Sequence, residues 1–255
     1  MILVNGQPVE SLDVRDRGLA YGDGVFRTLR AQAGEPLWWR DHIAKLAADC
    51  AALLLDAPDE TGLLAEVRRV AAAGQGVVKI ILTRGLGARG YAPSADQAGT
   101  RIVMAAPLPP HAQPDAPVDV QARWCTLRLA RQPRLAGIKH LNRLEQVLAS
   151  AELREKAVKE GILLDRLDHV TCAVGANIFL VMEDRLLTPR LDLCGVRGVV
   201  RSHILAGFGA RCEQRRVTLD MLHEADEVFI CNTVKGIVPV TAIDDRAYAI
   251  GPVTR

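Results

Sequence analysis

Apolar positions along the chain recur with two different periods, and the change of period marks out the elements. Over residues 41–55, DHIAKLAADCAALLL, the residues Ile43, Leu46, Ala47, Cys50, Leu53 and Leu54 fall at helical spacing. A second helix is predicted from about Asp59 to Ala73, with Gly74 placed to end it. VVKIILT (77–83) and RIVMAA (101–106) are branched runs of strand length. The stretch 107–117, PLPPHAQPDAP, then breaks the periodicity. Its five prolines fix φ and remove backbone donors, so it reads as an interdomain linker. Beyond it the pattern predicts a strand near 118–123, a long helix over about 141–160 and the strand NIFLVM (177–182). A hairpin turn near Glu183 and Asp184, a helix from about 199 and the strand EVFICN (227–232) complete the pattern. No repeat is visible. The expected class is α+β, with a small N-terminal domain over 1–106 and a larger C-terminal domain over 118–255.

Composition narrows what such domains can be. With 255 residues, 49% hydrophobic and 24% charged, the chain can bury a sizeable core, which excludes a disordered or fibrous protein. A net charge of +2 gives no sign of a polyanionic partner, so nucleic-acid binding is not expected. The start, MILVNGQPVE, lacks the charged and apolar regions of a secretory signal. No apolar run reaches the roughly 18 residues of a membrane span, so no membrane association is expected. Cys50, Cys125, Cys172, Cys194, Cys212 and Cys231 show no C-x-x-C spacing; reduced thiols in the cytoplasm are the expectation. His42, His111, His140, His169, His203 and His223 show no metal-ligand spacing, so no metal is expected. His140 stands out only through its neighbour, Lys139, with a role in supporting that lysine and plain packing equally open.

Two local features bear on chemistry. GLGARG (85–90) matches a dinucleotide fingerprint, but Pro93 interrupts any helix that would hold a pyrophosphate, and no acidic residue follows at the ribose distance. It reads as an Arg-bearing turn. Lysine is scarce, at six of 32 basic residues, and Lys156 and Lys159 lie in the charged run LREKAVKE, the pattern of a solvated face. Lys139 differs, because LAGIKHLN surrounds it with apolar neighbours. Burial lowers a lysine pKa and suits an amine that attacks carbonyls, whereas a packed stem with a solvated head is the plainer alternative.

GIKHLNRLEQVLA (137–149) resembles the lysine segment of the fold-type IV pyridoxal-phosphate enzymes, and within them the aminodeoxychorismate lyases. YGDGVFRT (21–28), HIAKL (42–46), TRGLGARGY (83–91), ANIF (176–179), TPRLDLCGVRG (188–198) and ADEVFICN (225–232) extend the likeness in the family's order. The resemblance implies a small N-terminal α/β sandwich and a larger C-terminal pseudo-barrel, with pyridoxal 5′-phosphate in the cleft between them. It also implies a homodimer whose sites draw on both subunits. The activity it implies is cleavage of 4-amino-4-deoxychorismate to 4-aminobenzoate and pyruvate, the supply step for folate. An aminotransferase for D- or branched-chain amino acids and a non-catalytic relative are the alternatives.

Carried over by motif, Lys139 matches the Schiff-base lysine and Thr28 a threonine of proton transfer. Arg89 matches a loop arginine that meets a substrate carboxylate, with Tyr91 beside it. Gly198, Val199 and Val200 match the phosphate cradle at a helix start, and Thr233 a phosphate contact. Two positions depart from the pattern. Lys45 stands where the family has an arginine on the phosphate, keeping the charge without the fork. Cys172 stands where the family has a glutamate facing the pyridine nitrogen, and a thiol with a reference pKa of about 8.5 is a weak substitute. Asp165 and Asp168, upstream, are the acids that folding could bring closer.

Overall fold

The computed structural model describes residues 1–72, 74, 76–94, 97–113, 119–154, 158–183 and 185–254. The chain divides into two units, Met1–Gln113 with Ile138–Asn142, and Pro114–Gly137 with Arg143–Arg255. Of the Pro-rich stretch, Pro107 closes a strand and Pro110–Ala112 form a short 3-10 turn, while 114–117 lie outside the described residues.

The first unit contains β1 (Ile2–Val4), α1 (Arg17–Tyr21), β2 (Gly24–Gln32), β3 (Glu35–Pro36), α2 (Trp39–Ala52), α3 (Glu60–Ala71), β4 (Gly76–Thr83) and β5 (Thr100–Pro107). Its strands form an antiparallel sheet in the order β1-β5-β4-β2-β3. Strand alternation decides the two faces. Val25, Leu29 and Ala31 point with Val78, Ile80 and Val103 into a core closed by Leu46 and Cys50 of α2 and Leu63 and Val67 of α3. Phe26, Thr28 and Lys79 lie on the other, half-exposed face, where Thr28 pairs across the strands with Lys79. Arg27 shares the buried face, which is unusual for a charged side chain. Asp59 caps α3, accepting from the N–H groups of Thr61 and Gly62. The end predicted at Ala73 falls outside the described residues.

The second unit contains β6 (Val120–Leu129), α4 (Leu144–Ala151), β7 (Glu160–Asp165), β8 (Val170–Ala173), β9 (Asn177–Met182), β10 (Arg185–Pro189), α5 (Val199–Phe208), β11 (Cys212–Arg215), α6 (Leu219–His223), β12 (Glu227–Asn232), β13 (Gly236–Ile243) and β14 (Arg246–Ala247). They make one curled sheet in the order β11-β10-β9-β12-β13-β6-β7-β8, with β14 beside β13. Phe179 and Phe229, paired across β9 and β12, stack with ring centroids 5.0 Å apart in its core. Asp184, expected in the β9–β10 turn, lies outside the described residues. The mixed fold with a curled sheet is the one the resemblance implies. Among the described residues no helix is long and apolar enough to cross a membrane.

The long helix expected over 141–160 is a correction. α4 runs only from Leu144 to Ala151, and β7 begins at Glu160. Glu152 explains the stop: its carboxylate accepts from the N–H groups of Thr126 at 2.6 Å and Leu127 at 3.0 Å, joining the helix end to β6. From Glu160 the chain pairs as β7 along β6, and these tertiary contacts override local helix propensity. Lys156 lies outside the described residues.

Candidate active site

Lys139 is fixed by its backbone before its side chain does anything. Ile138–Asn142 leaves the course of the second unit and pairs with β2: the Phe26 N–H donates to the Lys139 carbonyl at 2.9 Å, and the Leu141 N–H to the Gly24 carbonyl at 2.9 Å. His140 bridges to Val25 in the same pairing. The Lys139 ammonium then lies 4.4 Å from the centre of the Phe26 ring, with Lys79 5.1 Å from the same ring. A cation over an aromatic face gains about 0.5–2 kcal/mol and holds the half-buried chain in one place. Thr28, two residues along β2 from Phe26, shares that face. The structure thus brings Lys139 and Thr28 to one side of one sheet.

Behind that face lies a residue the sequence reading missed. Asp49, only 2% exposed, accepts from Arg27 Nη2, from Lys45 Nζ and, at 3.1 Å, from the backbone N–H of Lys139. Burial pushes the Arg27 guanidinium down to about 10, so it stays charged at neutral pH.

Arg89 and Tyr91 stand apart on the loop after β4, both exposed, with Tyr91 stacked at a tilt on Tyr21 at 5.6 Å. No helix opens there among the described residues, as a simple turn requires, and Gly85 has φ +84°, which favours glycine. Arg17 ties the loop down, donating to the carbonyls of Gly90 and Tyr91 at 2.9 Å each and to Asp23 at 2.9 Å. Arg84 holds the other side of Asp23 at 2.8 Å. Burial would raise the Asp23 carboxyl, but hydrogen bonds from Arg84 and Arg17 hold it below the usual carboxylate range. A depressed carboxyl stabilises the fold above its unfolded pKa of about 3.9, and that stabilisation is lost as pH falls through the lower folded value. Asp23→Asn is therefore expected to speed tryptic cutting at Arg84 and Arg89 about tenfold at pH 7, for about 1.5 kcal/mol of charged hydrogen bonding. In thermal unfolding, the stability difference between variant and wild type should vanish as pH falls below about 4; an unchanged cutting rate at pH 7 would show that Asp23 does not hold the loop.

The second unit gathers its own set at one end of the curled sheet. β8 ends at Ala173 and β9 starts at Asn177, while Thr233 follows β12 in a turn shaped by Asn232, whose Oδ1 accepts from the N–H groups of Val234 and Lys235. Asn177 bridges to α5: its Oδ1 accepts from the Gly198 N–H at 3.2 Å and its Nδ2 donates to the Val196 carbonyl at 2.8 Å. Gly198 is the N-cap and offers no side chain to the first turn, which contains no acidic residue. The N–H groups of Val199 and Val200 lie in the first turn of such a helix start, a setting that favours an anion. Asn177→Ala is expected to weaken phosphate-group affinity about tenfold by releasing this start, for about 1–1.5 kcal/mol of hydrogen bonding. Titration with pyridoxal 5′-phosphate checks it, and unchanged affinity would show the strut to be idle.

Cys172, on β8, is buried among Cys125, Leu129, Ala149 and Leu163. Burial pushes its thiol up to about 12, with Cys194 adding to the rise and Arg143 opposing it. The upstream acids do not replace a carboxylate there. Asp165 is held by Arg131 at 2.6 Å, and Asp168 is exposed and paired with Arg128 at 2.7 Å. Glu160 is also buried, 3.7 Å from Lys235, its carboxyl raised by burial against the pull of Lys235. An acid at the head of the apolar run EGILLD was its signal in the sequence.

The chain as a whole matches a known family. The profile of the class IV aminotransferases matches residues 24–243. An aminodeoxychorismate lyase of Vibrio harveyi is 34% identical over 263 residues, covering 100% of this chain and 97% of that protein. The chain belongs to the class IV aminotransferase family. The crystal structure of 4-amino-4-deoxychorismate lyase from Pseudomonas aeruginosa superposes with a TM-score of 0.94 at 44% identity, covering 100% of this chain and 96% of that one. A putative branched-chain-amino-acid aminotransferase of Methanocaldococcus jannaschii is 31% identical, covering 100% of this chain and 92% of that protein. Both chemistries therefore run in the family.

The family's cofactor is pyridoxal 5′-phosphate, and each unit by itself holds a donor of a kind suited to it. Lys139 offers an amine to an aldehyde, and the α5 start offers backbone N–H groups to a phosphate. Glycine is needed at 198, because a Cβ there would come within 2.5 Å of Asn177 Oδ1 and push the strut away.

Proposed function

We propose that this protein is a pyridoxal-phosphate-dependent lyase that converts 4-amino-4-deoxychorismate to 4-aminobenzoate and pyruvate, the reaction that serves folate synthesis. The observation that carries the reading is the likeness, over the whole chain, to the Pseudomonas aeruginosa lyase. Bound pyridoxal 5′-phosphate supplies an aldehyde for the substrate amine and a ring that draws electrons from the adjacent bonds. Lys139 would hold the cofactor through its amine, and that amine, when free, would take the proton from the substrate's C4. The C3–O bond then breaks, the ring becomes aromatic, and the enolpyruvyl group leaves and picks up a proton as pyruvate. Thr28, on the Lys139 face, assists the proton's movement. Arg89 fits a substrate carboxylate through two parallel hydrogen bonds, with Tyr91 beside it. Gly198, Val199, Val200, Thr233 and Lys45 would hold the phosphate, and Cys172 would stand where the family has its partner for the pyridine nitrogen.

A cytoplasmic homodimer fits this reading. Leu144, Val147 and Leu148 form an exposed apolar stripe on α4, the sort of surface a second copy covers. The test of function is a coupled assay with enzymatically made aminodeoxychorismate, following both products. One-to-one formation of 4-aminobenzoate and pyruvate supports the lyase; transamination in its absence would replace it with an aminotransferase.

A further inference from the structure

We propose that Asp49 is a positioning residue for the cofactor site: one buried carboxylate that anchors the main chain of Lys139 and the ammonium of Lys45 together. The inference rests on the reading of Lys139 and Lys45 as the cofactor's lysines. Neither oxygen of Asp49 is idle. Oδ1 accepts from Lys45 Nζ, one helical turn earlier on α2, while Oδ2 accepts from Arg27 Nη2 and the Lys139 N–H. An ionised carboxylate has room for all three donors. Arg27, 3% exposed on the inward face of β2, approaches from the sheet, and α2 supplies the acid from the other side.

The arrangement does more than neutralise a buried arginine. One partner would suffice for that, yet Asp49 also reaches the main-chain N–H of the residue whose side chain is the nucleophile. Lys139 is thereby fastened through both peptide units that flank its Cα, its carbonyl on the Phe26 N–H and its N–H on Asp49. The same carboxylate restrains Lys45, whose flexible stem lacks the fixed fork of an arginine. The rigidity missing from lysine at position 45 is restored from position 49.

The test uses full-length protein, pyridoxal 5′-phosphate and borohydride, with the labelled lysines read by peptide mass and affinity measured by equilibrium dialysis. Two double variants remove Arg27 and the Asp49 charge together, so net charge is kept and no buried arginine is orphaned. Arg27→Met with Asp49→Ala is expected to label Lys139 about tenfold more slowly relative to Lys79 and to bind the cofactor about tenfold more weakly. Arg27→Met with Asp49→Asn returns an acceptor to the Lys139 N–H and is expected to recover most of the labelling. A further readout needs no variant, since the Lys139 amide of the wild type should be protected from hydrogen exchange. Wild-type labelling and affinity in the alanine pair, or free exchange at that amide, would overturn the proposal. A wild-type protein not labelled at Lys139 at all would instead overturn the reading of Lys139 on which it rests.

Discussion

Lys139→Ala is expected to abolish 4-aminobenzoate formation. The loss should exceed the roughly 10²- to 10⁴-fold attached to a general base alone, because the same amine also holds the cofactor. Lys139→Arg separates charge from chemistry. A guanidinium keeps the positive charge and can sit on the Phe26 ring, but it cannot lose its proton at working pH or add to an aldehyde as an amine. It should therefore fail as completely as alanine. Lys79→Ala removes the other ammonium near that ring and should leave far more activity, because Lys79, a mid-strand residue of β4 paired across from Thr28, is not the amine proposed to hold the cofactor. Product formation under saturating substrate checks all three. An arginine variant that keeps more than about a tenth of the rate would reduce Lys139 to a fixed charge.

Which parts of this architecture the sequence reveals depends on how local their causes are. VVKIILT, NIFLVM and EVFICN read as strands because branched residues state that preference within a few positions, and all three are strands. The helix over 141–160 was overextended because its end is decided by Glu152 bonding the N–H groups of Thr126 and Leu127, some 25 residues away in the chain. Asp49 was passed over for the same reason. The apolar pattern of α2 marks Leu46 and Cys50, but the buried face also includes His42 and Asp49, and an acid there makes sense only once Arg27 is seen opposite. Arg17 and Asp23 hold a loop more than 60 residues ahead, which no window along the chain can show. The residues read from motifs were legible as a pattern; the residues that hold them in place were not.

Cys172→Glu is expected to shift the balance of reactions rather than stop them. With its thiol pushed up to about 12 by burial, Cys172 is neutral at pH 7 and offers no carboxylate to hold a proton on the cofactor's pyridine nitrogen. Transamination needs that proton, because electrons freed at one carbon must be stored until another carbon is protonated. The lyase reaction needs it less, since its electrons leave with the enolpyruvyl group as the ring becomes aromatic. The wild-type chain should thus cleave aminodeoxychorismate well and transaminate D- or branched-chain amino acids poorly. Glutamate at 172 should raise the transamination rate at least about tenfold, about 1.4 kcal/mol of barrier, and change cleavage by less than that. At that position burial and the charge of Glu160 oppose ionisation of the new carboxylate, and Arg143 favours it. The larger side chain must fit beside Cys125, Leu129 and Leu163, so a stability loss of about 1–3 kcal/mol is expected and is read separately by thermal unfolding. Cys172→Ser, equally uncharged, serves as the control and should leave the ratio of the two rates near that of wild type. Both rates must be measured on the same preparation. If the wild-type protein already transaminates as fast as it cleaves, the thiol does not set the balance, and the electron-sink argument falls.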